Sequence, residues 1–199
     1  MPAPASRPRG PRGADADTRA DIVRAALALF SAHGYEATSM RAIAKEADVD
    51  PSLPRHYFPS KSALFVEALG PIDQVERNVG LGLLASPDHL GETMLGLILD
   101  VWDSPESGPR MRILVQSAAG TPEIAGIARS ILFERLMLPI AKSVGLEDAD
   151  ARAAAALSQI LGLIVARYIL QVEPLASASR EDLIRRFAPA IQRLITGTS

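Results

Sequence analysis

Cysteine is absent from the 199-residue chain, which excludes disulfide cross-links and thiolate metal sites and suits a reducing cytoplasm. Long apolar runs are missing too. No stretch reaches the roughly 18 to 20 uninterrupted apolar residues of a membrane span, and the longest candidate, 160–170, contains Arg167 and reads as a buried helix. The opening MPAPASRPRGPRG is rich in Pro, Gly and Arg and has no aliphatic pattern. It therefore lacks the apolar region of a secretory signal and is expected to be a disordered arm.

The residues of catalysis are equally sparse. His33, His56 and His89 are scattered, and neither Gly-x-Ser-x-Gly nor Ser-x-x-Lys occurs. The run Asn78-Val-Gly-Leu-Gly is not followed by the lysine of a phosphate loop. Glu147, Asp148 and Asp150 crowd a predicted helix start, where capping accounts for them. No enzyme activity, metal site or cofactor is expected.

Net charge is only −2, but it is unevenly placed. Through Lys61 there are nine Lys and Arg against seven acids, and the remainder is about −4. Modest basicity at one end suits a small footprint on phosphate, where each neutralised charge adds a salt-dependent increment. Arg7, Arg9 and Arg12 of the arm are candidates for phosphate or minor-groove contact.

What is present is helical periodicity. Residues 18–33 place Ile22, Ala25, Ala26 and Leu29 on one stripe, behind a Thr18-x-x-Asp21 capping pair and ahead of Gly34. After Thr38-Ser39, Ile43, Ala44 and Ala47 recur at helical spacing until Asp48-Val49-Asp50 interrupts. Asp50 followed by Pro51 predicts the start of a further helix, since a proline at the first position loses no bond. Two helices joined by about four residues form a helix-turn-helix unit. Two features strain this pattern: Asp48 occupies a turn position that needs positive φ, and Pro54 lies about four residues into the predicted helix, removing an N–H.

The stretch AALALFSAHGYEATSMRAIAKEADV followed by HYFPSKSALF resembles the N-terminal domain of the tetracycline-repressor (TetR) family of transcription factors. Ala26, Phe30, Gly34-Tyr35, Thr38, Ile43-Ala44, Val49, Tyr57-Phe58 and Ser60-Lys61 carry the resemblance, and Asp48 departs from the family's usual Gly. It implies base or backbone contacts from Met40, Arg41, Pro51, Ser52, Leu53, Arg55 and His56, with Tyr57 and Lys61 gripping phosphate. Arg55 replaces the family's common aromatic, and a guanidinium can donate two bonds to guanine.

Beyond residue 87 everything reads helical: 88–102 capped by Asp88, 110–119, a run over 121–144 kinked at Pro139, 149–172 capped by Asp148, and 180–195 capped by Ser179. Residues 61–69 and 72–84, parted by Gly70-Pro71, would connect this part to the head. The closing stretch 162–195 resembles the regulatory domain of a TetR subgroup, in which the last two long helices pair with their copies in a second subunit. Ala153, Leu157, Ile160, Leu161, Ile164 and Ile191 are the expected dimer contacts, with Ala156 and Gly162 allowing close approach. A ligand pocket is expected between the middle helices, lined by Met94, Leu97, Ile98, Val101, Trp102, Met111, Leu114, Phe133, Met137 and Tyr168, with Gln116 and Arg167 as polar anchors.

The expectation is thus an all-α chain: an arm over 1–16, a three-helix DNA-binding domain over 17–67, and a helical regulatory and dimerisation domain over 68–199. Its function would be that of a cytoplasmic repressor gripping a palindromic operator in double-stranded DNA as a homodimer, released by a small apolar effector, with no membrane partner. The alternative is a helical ligand-binding or interaction protein whose head, disturbed by Pro54, no longer selects DNA sequence.

Overall fold

The computed structural model describes residues 11–70 and 87–197. The first ten residues of the arm and the expected helix over 72–84 lie outside the described residues. The chain divides into two units, Met1–Leu69 and Gly70–Ser199. Both are helical, and no strand occurs among the described residues.

In the first unit, α1 spans Pro11–Ala37, interrupted at Gly34, whose φ of 77° and ψ of 172° break the helix at its predicted end. Its beginning differs from expectation. Helical backbone starts at Pro11, so Thr18 is an interior residue rather than a cap, and part of the expected arm is helix. A proline is tolerated at a first helical position, and the amphipathic run behind it supplies the nucleus that a short helix otherwise lacks.

Helix α2 (Met40–Glu46) begins where the Ser39 hydroxyl accepts from the Ala42 N–H, at 3.1 Å. Helix α3 (Leu53–Tyr57) and α4 (Lys61–Ala68) follow, the latter capped by Ser60 accepting from Ala63 N–H at 3.0 Å. Ile22, Ala26, Ile43, Ala44, Leu64 and Phe65 are buried between them. Phe30, Tyr35 and Phe65 form an aromatic trio with centroids 5.1–5.7 Å apart, two contacts edge-on and one stacked. Arg19 reaches from α1 to Glu67 of α4 at 2.8 Å and lies over the Phe58 ring.

In the second unit, a 3₁₀ turn (Pro87–His89) leads into α5 (Leu90–Asp103), so Asp88 sits in the turn and His89 is the residue that directly precedes the helix. Helix α6 (Ser107–Gly120) precedes α7 (Pro122–Arg129), which runs through a π-helical segment, Ser130–Met137, into α8 (Leu138–Ser143). The wide turns stand immediately ahead of Pro139, where the sequence predicts a kink. Pro139 is the second residue of α8, directly behind the i→i+5 bond from Leu138 N–H to Phe133 O. Helix α9 (Ala149–Ile164) ends in another π segment, Val165–Ile169. Asp148 precedes α9 but spends its carboxylate on Arg152, which holds the acid below its ordinary pKa.

Helix α10 (Arg180–Thr196) is capped as predicted, Ser179 accepting from Asp182 N–H at 3.1 Å, and ends on left-handed Gly197. It packs tightly on α5. A Cβ at Gly91 would lie 2.3 Å from the Ala188 carbonyl oxygen, and the Gln192 side chain accepts from the Gly91 N–H at 2.7 Å. That bond satisfies one of the free donors at the start of α5.

The core of this unit is aliphatic: Leu95, Leu99, Ala153, Ala156, Ile164, Leu183, Ile191 and Ile195 are almost wholly buried. Together α9 and its extension, Ala149–Ile169, have the length and hydropathy, 1.4, to cross a membrane. One face of this helix forms a wall of that core.

Candidate functional site

Asp48 has φ 53°, so the α2–α3 turn does need a left-handed residue, and a short polar side chain meets it without glycine. The next residues depart from the predicted start of α3. Asp50 accepts from both the N–H and the hydroxyl of Ser52, at 2.8 and 2.6 Å, and these bonds lower its carboxyl pKa. Pro51 and Ser52 therefore form a turn, and the helix begins at Leu53.

This shift by two residues changes what Pro54 does. It becomes the second helical residue, buried against the head, where no intrahelical donor is required of it. Its own carbonyl accepts from Phe58 N–H at 3.0 Å. The proline expected to damage the reading helix shortens it without breaking it.

Met40, Arg41, Pro51, Arg55 and Lys61 share one open groove with Glu36, Thr38 and Ser39. A second groove beside it is lined by Ser39, Arg41, Ala42, Lys45, Val49 and Pro51. Arg41, Arg55 and His56 are exposed. Leu53 and Tyr57 are half-buried, the Tyr57 ring standing edge-on to His56 at 5.2 Å. Three cations from three helices, Arg41, Arg55 and Lys61, therefore border one concavity, and Ser39 caps the helix that begins there.

Lys61 has a role that its motif position did not reveal. Its ammonium donates to the carbonyls of Tyr35 and Thr38, at 3.0 and 3.1 Å, and stands 4.1 Å from the centre of the Tyr35 ring. The buried Thr38 hydroxyl donates to Gly34 O at 2.8 Å. Lysine and threonine together clamp the α1–α2 corner, and two of the three ammonium donors are spent inside the domain. The Tyr35 carbonyl thus accepts both the Thr38 N–H, at 3.3 Å, and the Lys61 ammonium.

The second unit holds an apolar cavity of about 110 Å³. Of the predicted lining, Met94, Leu97, Ile98, Val101, Trp102, Met111, Leu114 and Met137 border it. Phe133 and Tyr168 do not: the i→i+5 turns of Ser130–Met137 present Leu132, Leu136 and Met137 instead. Tyr168 stacks outside on Trp102 at 5.1 Å and donates to Asp103 at 2.8 Å. Burial, followed by that bond, raises its phenol pKa to about 12.

Neither expected polar anchor serves. Gln116 is exposed, and Arg167 donates to the carbonyls of Leu175 and Ala178, closing the loop before α10.

The expected dimer contacts need the largest correction. Ala153, Ile160, Ile164 and Ile191 are each no more than 4 % exposed within a single chain, so they have no area left for a partner. Leu157, Ile160, Leu161 and Ile164 line the cavity. Their i, i+3, i+4, i+7 spacing was the available signal, and it marks the inward stripe of α9.

Residues 22–68 match the profile described as bacterial regulatory proteins, tetR family, and residues 88–195 match the tetracyclin repressor-like C-terminal domain. The chain belongs to the TetR family. It is a DNA-binding transcriptional regulator and not an enzyme.

A TetR-family regulator from Streptomyces coelicolor A3 is 31% identical over 96% of this chain and 99% of its own, with a TM-score of 0.69. NalD of Pseudomonas aeruginosa, the secondary repressor of the MexAB-OprM multidrug efflux pump, shares the fold with a TM-score of 0.69 at 18% identity, over 91% of this chain and 98% of its own. The HTH-type transcriptional repressor KstR of Mycolicibacterium smegmatis is 49% identical over 57 residues. That stretch spans only 29% of this chain and 28% of the repressor.

Proposed function

We propose that this TetR-family chain is a one-component repressor: a cytoplasmic homodimer that grips a palindromic operator and is released by a small-molecule effector. The observation that carries the DNA reading is the shared open groove of Met40, Arg41, Pro51, Arg55 and Lys61 across α2, α3 and α4. Met40, Arg41, Ser52, Leu53, Arg55 and His56 would read or flank the major groove, with Tyr57 and the remaining Lys61 donor toward phosphate. Two such short helices related by a two-fold axis read half-sites about one duplex turn apart.

The dimer seam in this reading is the exposed side of α9, where Ala154, Ser158 and Gly162 lie four residues apart, paired with α10. Small side chains there permit close helix packing. Gly162 has open space where a Cβ would stand, so Gly162→Glu should leave the fold intact while shifting dimers to monomers in sedimentation. A dimer undisturbed by that charge would move the seam elsewhere.

Effector release follows from differential affinity: a tenfold preference for the shape that does not fit DNA is worth about 1.4 kcal/mol. The rival reading of a head that has lost sequence choice rested on damage by Pro54, and Pro54 sits harmlessly at the second position of α3. Selection of bound sites from a random DNA pool is the decisive experiment. The expected product is a palindrome; indifferent retention of every sequence would refute the repressor reading.

A further inference from the structure

We infer that the group recognised in the regulatory cavity is a compact, uncharged hydrocarbon, an aromatic ring or a branched alkyl end of about six carbons, since its volume of about 110 Å³ lies below that of a ~150 Å³ cavity that holds benzene. The inference rests on reading the cavity as the effector site and specifies its chemistry.

Every side chain that lines the cavity is Leu, Ile, Val, Met or Trp. The single nitrogen or oxygen atom among these side chains is the Trp102 indole N–H, a donor only. A carboxylate or ammonium in this space would meet no counter-charge, and a hydroxyl proton would find no side-chain acceptor stronger than a thioether sulfur. Polar groups desolvated without partners cost on the order of 1–3 kcal/mol in proteins, and ions cost much more. Two polar side chains near Trp102 in the fold are already engaged: Asp103 with Tyr168, which stacks on Trp102, and Arg167 with two backbone carbonyls.

Three of the chain's five methionines, Met94, Met111 and Met137, lie on the wall. Thioethers are adaptable and favour contact with ring edges, so this wall suits planar hydrocarbon better than it suits a rigid polar shape. With about 110 Å³ available, the cavity takes one such group at a time. Any polar remainder of a larger effector must stay outside it.

Trp102 is the chain's only tryptophan and borders the cavity, so its fluorescence reports occupancy directly. The full-length protein is titrated with toluene, phenol, benzylamine and benzoate while Trp102 emission and Tm are followed. Toluene should give a saturable emission change and a rise in Tm. Phenol should bind at least tenfold more weakly, and the two ions should give neither signal. Val115→Phe, which fills the space from a half-buried wall position, should abolish the saturable toluene response without lowering Tm.

Phenol or an ion binding as well as toluene, or toluene giving no saturable change, would overturn the inference. So would a toluene response that survives Val115→Phe with Tm preserved. Operator release is read separately, on the DNA selected above. Saturable toluene binding without any effect on DNA supports the cavity chemistry while counting against the effector role.

Discussion

The two units solve opposite problems with the same secondary structure. The head centres its core on three touching aromatic rings and leaves polar side chains standing around an open groove. The regulatory unit has an aliphatic core that closes around a space it does not fill. In the head, information lies in which side chains are exposed. In the regulatory unit it lies in what the packing leaves out, and interiors otherwise pack too densely for such a space to be incidental.

The largest expected effect separates the two units. Phe65→Ala removes a wholly buried member of the aromatic trio and should destabilise the head by about 3–5 kcal/mol. Operator binding should be lost while the urea midpoint reported by Trp102 in the other unit stays in place. A shared drop in both would mean that the units melt as one.

Gly91→Ala is the matching disruption of the regulatory unit, since the added carbon would press on the Ala188 carbonyl between α5 and α10. Overpacking of this kind costs about 1–3 kcal/mol, so Tm should fall, whereas Gly162→Ala, with nothing within 4 Å, should not lower it in the isolated chain.

Lys61→Ala tests the clamp. Losing two bonds from an ammonium should lower head stability by about 1–3 kcal/mol. The dependence of operator affinity on salt then divides its roles. A slope smaller by about one unit assigns a phosphate contact as well, and an unchanged slope leaves the clamp alone. Arg55→Ala should cost roughly 1–3 kcal/mol against the preferred base at a single position of each half-site. Selected sites that keep the same preference there would remove Arg55 from the readers.

The smallest effect is at high pH. Tyr168 is raised from 10.0 to about 12, so the folded protein holds that proton more tightly than the unfolded chain. Its contribution is complete below pH 10 and is lost as pH rises toward 12. Absorbance titration should show a late phenol step that Tyr168→Phe removes.

Much of the head was legible because its signals are local. Ser39 and Ser60 cap the helices they precede, Gly34 ends α1, and Asp48 takes the left-handed turn, all decided by residues within four positions. Pro54 was misjudged for a local reason as well: the Asp50–Ser52 turn delays the helix by two residues, and that turns an interior proline into a harmless one. Lys61 was not legible, since its carbonyl partners lie 26 and 23 residues away.

In the regulatory unit, composition and period determined that the elements are helices and that α9 is apolar over more than one stripe. They could not decide which stripe turns inward. Leu157 and Leu161 became cavity wall, and the side left outward carries Ala154, Ser158 and Gly162. Helical period depends on neighbours three or four residues away and is therefore written in the chain itself. The direction a face points, and whether the facing side chains meet or leave a gap, depend on the volumes of residues brought together from distant helices, and only the assembled tertiary structure sums them.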